Sequence, residues 1–134
     1  MVGLMTDKLR DLANLERIRS ARIEPLMLQR SISGDISATS EILKLPKLRP
    51  GRIHVITNLC VIEIGQGTPQ VFLGILSKGE KYYVFSDTVT TAENSVTWSG
   101  QIIAGEFDEI FAEIQAGADD EEIVLTAFGY SMRI

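Results

Sequence analysis

The sequence of 134 residues contains one cysteine, Cys60, and one histidine, His54. A single cysteine excludes a disulfide within the chain. Catalytic triads and zinc sites combine a histidine with further histidines, cysteines or carboxylates at characteristic spacings, and no such spacing surrounds His54. We therefore predict a structural or surface role for His54 and a buried thiol for Cys60, with no catalytic residues, no metal site and no cofactor.

Long apolar runs are also missing. No stretch approaches the ~20 apolar residues that a membrane-spanning helix needs. Met1–Met5 is followed at once by Asp7 and Lys8, without the apolar run of a secretory signal peptide. We expect neither a signal peptide nor an association with membranes.

The charged residues are unevenly distributed. Residues 1–52 hold ten Lys or Arg against six Asp or Glu, a net charge of +4, whereas residues 53–134 hold three against twelve, a net charge of −9. The arginines of the first part are not interleaved with aromatic residues and belong to no recognition-helix motif. We expect them to dock on an acidic protein surface and to make no direct contact with nucleic acid.

The basic part of the chain predicts an amphipathic helix over residues 5–24. Its apolar residues recur at spacings of three and four, which places them on one face: Met5, Leu9, Leu12, Ala13, Leu15 and Ile18. Pro25 ends or kinks this helix. Residues 29–52 are rich in serine and predict a turn-rich connector with one short strand at 41–45.

From Ile53 onward the pattern is typical of strands. They are predicted at 53–64, 70–77, 82–86, 95–103, 109–115 and 122–132, with a hairpin loop at 78–81. Residues 107–114 also match a helical stripe, which leaves a helix open there. The whole predicts an antiparallel, jelly-roll-like β-sandwich over residues 53–134, preceded by a helical arm and connector over residues 1–52.

Two further features could bind a ligand. The acidic run Asp119-Asp120-Glu121-Glu122 lies at a turn, where four consecutive carboxylates cannot converge on one ion, and it predicts a solvated turn. Trp98, Tyr82 and Tyr83 lie in predicted strands, where aromatic residues either pack in a core or stack on a ligand. These three are the candidate ligand-contact aromatics.

In the strand-rich part, glycine-containing turns and strands with alternating side chains follow one another regularly, and we call this succession the cadence. Gly51-Arg52-Ile53-His54-Val55 opens the first long strand, and the cadence continues through Trp98-Ser99-Gly100, Gly105-Glu106, Ile110-Phe111-Ala112, Gly117-Ala118-Asp119-Asp120 and Ala127-Phe128-Gly129-Tyr130. Over about residues 50–134 this resembles small β-sandwich virion proteins of tailed bacteriophages, among them head decoration, head–tail and tail-associated subunits. The resemblance implies a non-enzymatic structural subunit that is present in many copies of a virion assembled in the host cytoplasm.

Three functions follow as hypotheses. The first is an assembly subunit whose partners are copies of itself and other virion proteins. The residues expected to make its intersubunit contacts are Leu9, Leu12, Leu15, Ile18, Arg10, Arg17, Arg22, Arg49 and Arg52. The second is a carbohydrate- or receptor-binding module that uses Trp98, Tyr82 and Tyr83. The third is a small enzyme with His54 and carboxylates such as Glu63 or Asp108 in its site, and the observation that tests it is whether His54 shares a concave pocket with any carboxylate.

Overall fold

The computed structural model describes residues 23–34, 40–65, 67–115, 117 and 121–133. Eight β-strands account for most of these residues. They are β1 (Ile23–Gly34), β2 (Glu41–Lys44), β3 (Arg52–Ile64), β4 (Gln70–Ser77), β5 (Glu80–Thr88), β6 (Ser95–Ala104), β7 (Glu109–Gln115) and β8 (Glu121–Arg133). Within this described part of the chain, no helix is long and apolar enough to cross a membrane.

The strands form two antiparallel four-stranded sheets. The first sheet has the order β1-β8-β3-β6 and the second has the order β2-β7-β4-β5. Strand pairing is nested along the chain, because β1 pairs with β8, β2 with β7, β3 with β6 and β4 with β5. Such nesting, with successive pairs alternating between two sheets, is the topology of a jelly roll. The predicted fold class, an antiparallel jelly-roll-like β-sandwich, is confirmed.

The core lies between the two sheets and follows from the alternation of side chains along each strand. Leu59 and Val61 of β3 point inward, as do Leu125 and Ala127 of β8 beside them. From the second sheet, Val71, Leu73, Ile110, Ala112 and Ile114 complete the same buried cluster. Burying one such side chain stabilises the fold by ~1.5–3 kcal/mol relative to its exposure, so this layer holds the two sheets together.

The first strand corrects the sequence prediction. The predicted connector over residues 29–52 is wrong at residues 29–34, which belong to β1, whereas the short strand predicted at 41–45 matches β2; the two sheets include residues from Ile23 onward. In β1, Leu26, Leu28 and Ile32 pack against the core. Proline has no N–H group to donate to a neighbouring strand. Pro25 is compatible with β1 because β1 lies at a sheet edge and pairs only with β8.

The predicted helix is almost wholly outside the described residues. Only its last two positions, Ile23 and Glu24, are described, and both belong to β1. The stretch that the sequence left ambiguous, residues 107–114, is resolved in favour of a strand, since β7 spans Glu109–Gln115. Phe107 precedes this strand with a φ of 63°, a conformation that is incompatible with a continuing right-handed helix.

Turns and bulges match the local sequence. Lys78 and Gly79 connect β4 to β5, and both have positive φ values, 52° and 81°. Positive φ at both central residues is the signature of a type I′ turn, whose twist suits a tight hairpin. Register shifts at Thr57 in β3 and at Val84 in β5 mark bulges that bend the two sheets.

Candidate interaction surfaces

The outer face of the first sheet carries an apolar patch. Residues directly opposite one another across an antiparallel pair share a face, and Val55 lies opposite both Tyr130 and Ile103. The same reasoning places Ile53 beside Met132 and Met27 beside Phe128. We define the apolar patch as Ile23, Pro25, Met27, Ile53, Val55, Ile103, Phe128, Tyr130 and Met132.

The apolar patch is unusual because it is open to solvent and uncharged. Ile103 is 70% exposed and Met27 is 65% exposed, whereas Val55 on the same face is only 2% exposed. No residue of the patch carries an ionisable acid or base apart from the Tyr130 phenol. Contiguous exposed apolar surface of this kind marks sites where proteins contact one another. The patch was not predicted from the sequence, although the apolar run in 53–64 is typical of a strand with two apolar faces.

A polar band follows the patch on the same face, before the exposed Ile62 and Ile64 at the end of β3. Asn58 donates a hydrogen bond to the Ser99 hydroxyl at 2.8 Å. Cys60 lies opposite Thr97 and Thr126, and the Thr97 hydroxyl lies 3.8 Å from its sulfur. Cys60 is therefore only partly buried, on the outer face, so the prediction of a buried thiol is wrong.

The outer face of the second sheet carries an aromatic cluster. Phe72, Tyr83 and Phe111 pack edge to face, with ring centroids 5.9 Å apart for the first pair and 5.6 Å apart for Tyr83 and Phe111. Gly74 lies opposite both Tyr83 and Phe111, and a Cβ at this position would contact the Phe111 ring. The missing side chain thus makes room for Phe111, which is buried outside the central core.

A carboxylate lies beside these rings. Glu113 accepts hydrogen bonds from the Lys81 ammonium at 3.1 Å, the Tyr83 hydroxyl at 3.3 Å and the Gln115 amide at 3.5 Å. An open pocket of about 740 Å³ lies over this group, lined by Phe72, Tyr83, Val84, Phe85, Ser86, Glu113 and Gln115. It combines flat apolar rings with hydrogen-bonding groups, the usual composition of a small-molecule site.

A second pocket, of about 320 Å³, lies between β1 and the loop before β3, and both Glu24 and His54 line it. His54 is 2% exposed, and its Nε2 lies 3.0 Å from the carbonyl oxygen of Arg49. Arg52 donates to Glu24 at 3.0 Å and to the Ser131 hydroxyl at 3.3 Å. The hydrogen bond from Arg52 and the charges of Arg52, Arg133 and Arg49 lower the pKa of Glu24.

This arrangement is relevant to the enzyme hypothesis. His54 shares its pocket with Glu24, which is engaged by Arg52, and not with the carboxylates named from the sequence. Asp108 instead accepts a hydrogen bond from the Gly105 amide at 2.8 Å, and Glu63 accepts one from the Gly67 amide at 3.0 Å. Both carboxylates hold turns, so neither of them joins His54; the carboxylate that shares its pocket is Glu24, whose charge is paired with Arg52.

The three candidate aromatics do not share one face. Trp98 lies opposite Leu59 and packs against the core of the sandwich, whereas Tyr83 lies on the outer face of the second sheet. Tyr82 pairs with Ile75 and donates a hydrogen bond to Glu80 at 3.0 Å. Only Tyr83 therefore belongs to the pocket beside Glu113.

The predicted arm residues divide into two groups. Arg49 is exposed, whereas the side chain of Arg52 is only 12% exposed and is engaged with Glu24 inside the chain. The others fall outside the described residues: Leu9, Leu12, Leu15, Ile18, Arg10, Arg17 and Arg22. The acidic run is likewise undescribed at Asp119 and Asp120.

No protein-family model matches the sequence, and no curated protein matches it. Solved structures do resemble the fold. A chain in the acidic stable capsid structure of Helicobacter pylori bacteriophage KHP30 aligns with a TM-score of 0.54 at 11% sequence identity, over 80% of this chain and 92% of that chain. A family 29 carbohydrate-binding module aligns with a TM-score of 0.45 at 13% identity, over 81% of this chain and 75% of the module.

A chain of the virus-like particle of the Macrobrachium rosenbergii extra small virus aligns with a TM-score of 0.38 at 12% identity, over 80% of this chain and 79% of that chain. At such identities the comparisons show the fold alone. The predicted resemblance to virion β-sandwich proteins is confirmed at that level by the KHP30 alignment.

Proposed function

We propose that this chain is a non-enzymatic structural subunit of a multisubunit assembly. The assembly is a bacteriophage virion, in which the subunit is a decoration, head–tail or tail-associated protein. Its partners are other copies of itself and other virion proteins. The single observation that carries the proposal is the apolar patch, because an exposed, charge-free apolar sheet face is typical of a surface that another protein contacts.

Energetic considerations support this role. Ile103 and Met27 are more than half exposed and lie on the same face as Phe128. Transferring such side chains from water into a packed contact contributes ~1.5–3 kcal/mol each. Several of them in one patch supply enough to offset part of the entropy lost on association. The fold likeness to a phage capsid chain agrees with this use of the sandwich as a packing unit.

The experiment measures the native mass of the full chain by light scattering over a range of concentrations. The wild type is expected to form oligomers, and Ile103→Asp is expected to shift it to a monomer, because a carboxylate in an apolar contact must be desolvated. Thr97→Asp is the matched control, since Thr97 is an exposed residue on the same face of β6 outside the patch. A wild type that stays monomeric, or equal effects of the two variants, would contradict the proposal.

A saccharide-binding role is the second candidate, favoured by the pocket beside Glu113. An aromatic face can stack on the apolar face of a sugar ring while carboxylate and amide groups bind its hydroxyls. Tyr83, Glu113 and Gln115 provide these groups in one place. Of the three aromatics predicted from the sequence, this candidate retains Tyr83.

Adjacent tyrosines provide a matched test of saccharide binding on a glycan array. Tyr82 and Tyr83 are 54% and 52% exposed, yet only Tyr83 lines the pocket. Tyr83→Ala is expected to abolish binding that Tyr82→Ala preserves. Absence of binding by the wild-type chain, or equal losses in both variants, would remove this candidate.

A further inference from the structure

We infer that the ring of Phe107 in one copy inserts into the pocket of about 320 Å³ that lies between β1 and the loop before β3 of a second copy. We call this cavity the β1 pocket. Such an insertion deepens the proposed function and rests on it, because it is the contact that decides how two associated copies are oriented.

Phe107 is an exposed aromatic residue in the loop between β6 and β7. Its side chain is 60% exposed, and its backbone has a φ of 63°. A residue other than glycine adopts this left-handed conformation only where the surrounding structure enforces it. Here the enforced conformation keeps a large apolar ring in solvent, which points to a contact that the ring makes with another molecule.

Hydrogen bonds fix the loop that carries the ring. The Phe107 N–H donates to the Leu48 carbonyl oxygen at 3.1 Å, and the Leu48 N–H donates to the Asp108 carbonyl oxygen at 3.0 Å. The Gly105 N–H donates to the Asp108 carboxylate at 2.8 Å. The ring is therefore held in place before any contact forms, so its burial in a partner costs little conformational entropy.

The same hydrogen bonds favour a second copy over the same chain. Leu48 lines the β1 pocket, whereas Phe107 is not among the described residues that line it. Phe107 instead borders a separate cavity with Leu76 and Lys78. To enter its own β1 pocket, the ring would have to pass the loop that binds its backbone and break the bond to Leu48. A second copy can present its ring without any rearrangement.

The walls of the β1 pocket suit a phenyl ring. Six of the described residues that line it are apolar: Pro25, Leu26, Met27, Leu28, Pro46 and Leu48. Its volume of about 320 Å³ is larger than a phenyl ring and lies at the lower end of the range for binding cavities. An aromatic side chain buried in such a cavity is a common anchor of a protein–protein interface.

The charges around the ring and the pocket are complementary. Three carboxylates adjoin Phe107 in the sequence, those of Glu106, Asp108 and Glu109. Two cations belong to the pocket lining, Lys47 and Arg49. Glu24, which also lines the pocket, is already paired with Arg52. Since no ion pair among the described residues joins the carboxylates to the cations, these charges can attract each other across an interface and orient it.

The β1 pocket is continuous with the apolar patch. Pro25 and Met27 belong to both, and Ile103 of the patch precedes Phe107 by four residues. The patch and the filled pocket can therefore form one interface between the same two copies. The uncharged patch contributes apolar area, whereas a single ring in a single cavity fixes the relative position of the copies.

Dilution of the full chain, followed by light scattering, tests the contribution of the ring. Phe107→Ser is expected to raise the dissociation constant of the oligomer about thirtyfold, the effect of removing an aromatic anchor. Tyr82→Ser is the matched control, because Tyr82 is also an exposed aromatic residue, at 54%, but lies in β5 of the second sheet. Equal dissociation constants of the two variants would overturn the inference.

Photo-cross-linking identifies the cavity that the ring enters. A chain with p-benzoyl-phenylalanine at position 107 keeps an aromatic side chain there, and it is mixed with a ¹⁵N-labelled wild-type chain and irradiated. Mass spectrometry is expected to show light-to-heavy cross-links to residues 24–28 or 46–49. Cross-links within one chain, or only to residues outside the β1 pocket, would overturn the inference.

The outcomes separate this contact from the proposed function. If the wild type forms oligomers that Ile103→Asp dissociates, but Phe107→Ser behaves like Tyr82→Ser, only the insertion of the ring is wrong. If the wild type is monomeric at every concentration, the proposed function is contradicted and the insertion is wrong with it.

Discussion

At the residue scale, position 129 requires glycine because there is no room for a side chain, and not because of its backbone conformation. It lies opposite Ile56 beside the bulge in β3, and a Cβ added there would collide with the backbone carbonyl of Val55. Backbone atoms in a sheet centre cannot move aside as a flexible side chain can. The close approach of β8 to β3 thus depends on the absence of a side chain.

Gly129→Ala is therefore expected to lower the free energy of unfolding by ~1–3 kcal/mol, the usual cost of overpacking. Gly105→Ala is the control, because its added Cβ would meet only a carboxylate oxygen of Asp108 at an ordinary 3.6 Å. Urea denaturation of both variants and the wild type measures the difference. Equal stabilities of the two variants would contradict the proposed close approach.

The Glu24–Arg52 ion pair is the second feature at this scale. Arg52, hydrogen-bonded to Glu24, holds the pKa of that carboxyl below its ordinary value of 4.5. A lowered pKa in the folded state contributes stability above the ordinary value, and this contribution is lost as the pH falls through the lower folded pKa. Acid should therefore weaken the attachment of β1 to β3.

Glu24→Gln tests this pH dependence. The variant is expected to be less stable than the wild type at pH 6, and the difference should shrink as the pH falls toward 3, because the wild-type carboxylate becomes protonated. Unfolding midpoints in urea at several pH values measure it, with Glu93→Gln in an exposed turn as control. A difference that is the same at every pH would rule out the ion pair as its cause.

At the element scale, strands with ordinary alternation were predictable from the sequence. The predicted bounds of β4 and β7 coincide with those of the structure, 70–77 and 109–115. β1 was missed because Pro25 and the serines near Gly34 resemble a break and a turn. Their compatibility with a strand depends on its place at a sheet edge, which only the pairing with β8 determines.

The candidate surfaces were less predictable than the strands, because they too depend on which strands pair. The apolar patch joins residues of β1, β3, β6 and β8, whose neighbours are set by register and not by sequence separation. The sequence placed Trp98 and Tyr83 together as aromatics of predicted strands. A bulge at Val84 and the division into two sheets separate them.

Whether β1 is an integral strand can be tested on two adjacent residues. Leu28 packs against the core, whereas Gln29 beside it is exposed. Leu28→Ala is expected to cost ~2 kcal/mol of unfolding free energy, the low end for leucine truncation because its burial is partial. Gln29→Ala should change it by less than ~0.5 kcal/mol in urea denaturation. Indistinguishable variants would mean that β1 contributes no core packing.

At the scale of the whole molecule, the net charge changes sign where β1 begins. Residues 1–22 hold five Lys or Arg against three Asp or Glu, a net charge of +2, and residues 23–134 hold eight against fifteen, a net charge of −7. The sandwich is thus acidic even though the loop before β3, with Lys47 and Arg49, is basic. A positive N-terminal segment and a negative sandwich attract each other over a distance, whereas the apolar patch is uncharged.

These two properties predict different responses to salt for the rate and for the extent of association. The Debye length falls from ~10 Å at 0.1 M salt to ~3 Å at 1 M, so steering between exposed charges is screened. We expect stopped-flow light scattering to show slower association at higher salt, with an unchanged final mass because apolar burial is not screened. Arg17→Gln/Arg22→Gln should reduce the salt dependence of the rate without lowering the final mass. Oligomers that dissociate at 1 M salt would instead mean that charge pairs, and not the apolar patch, hold the copies together.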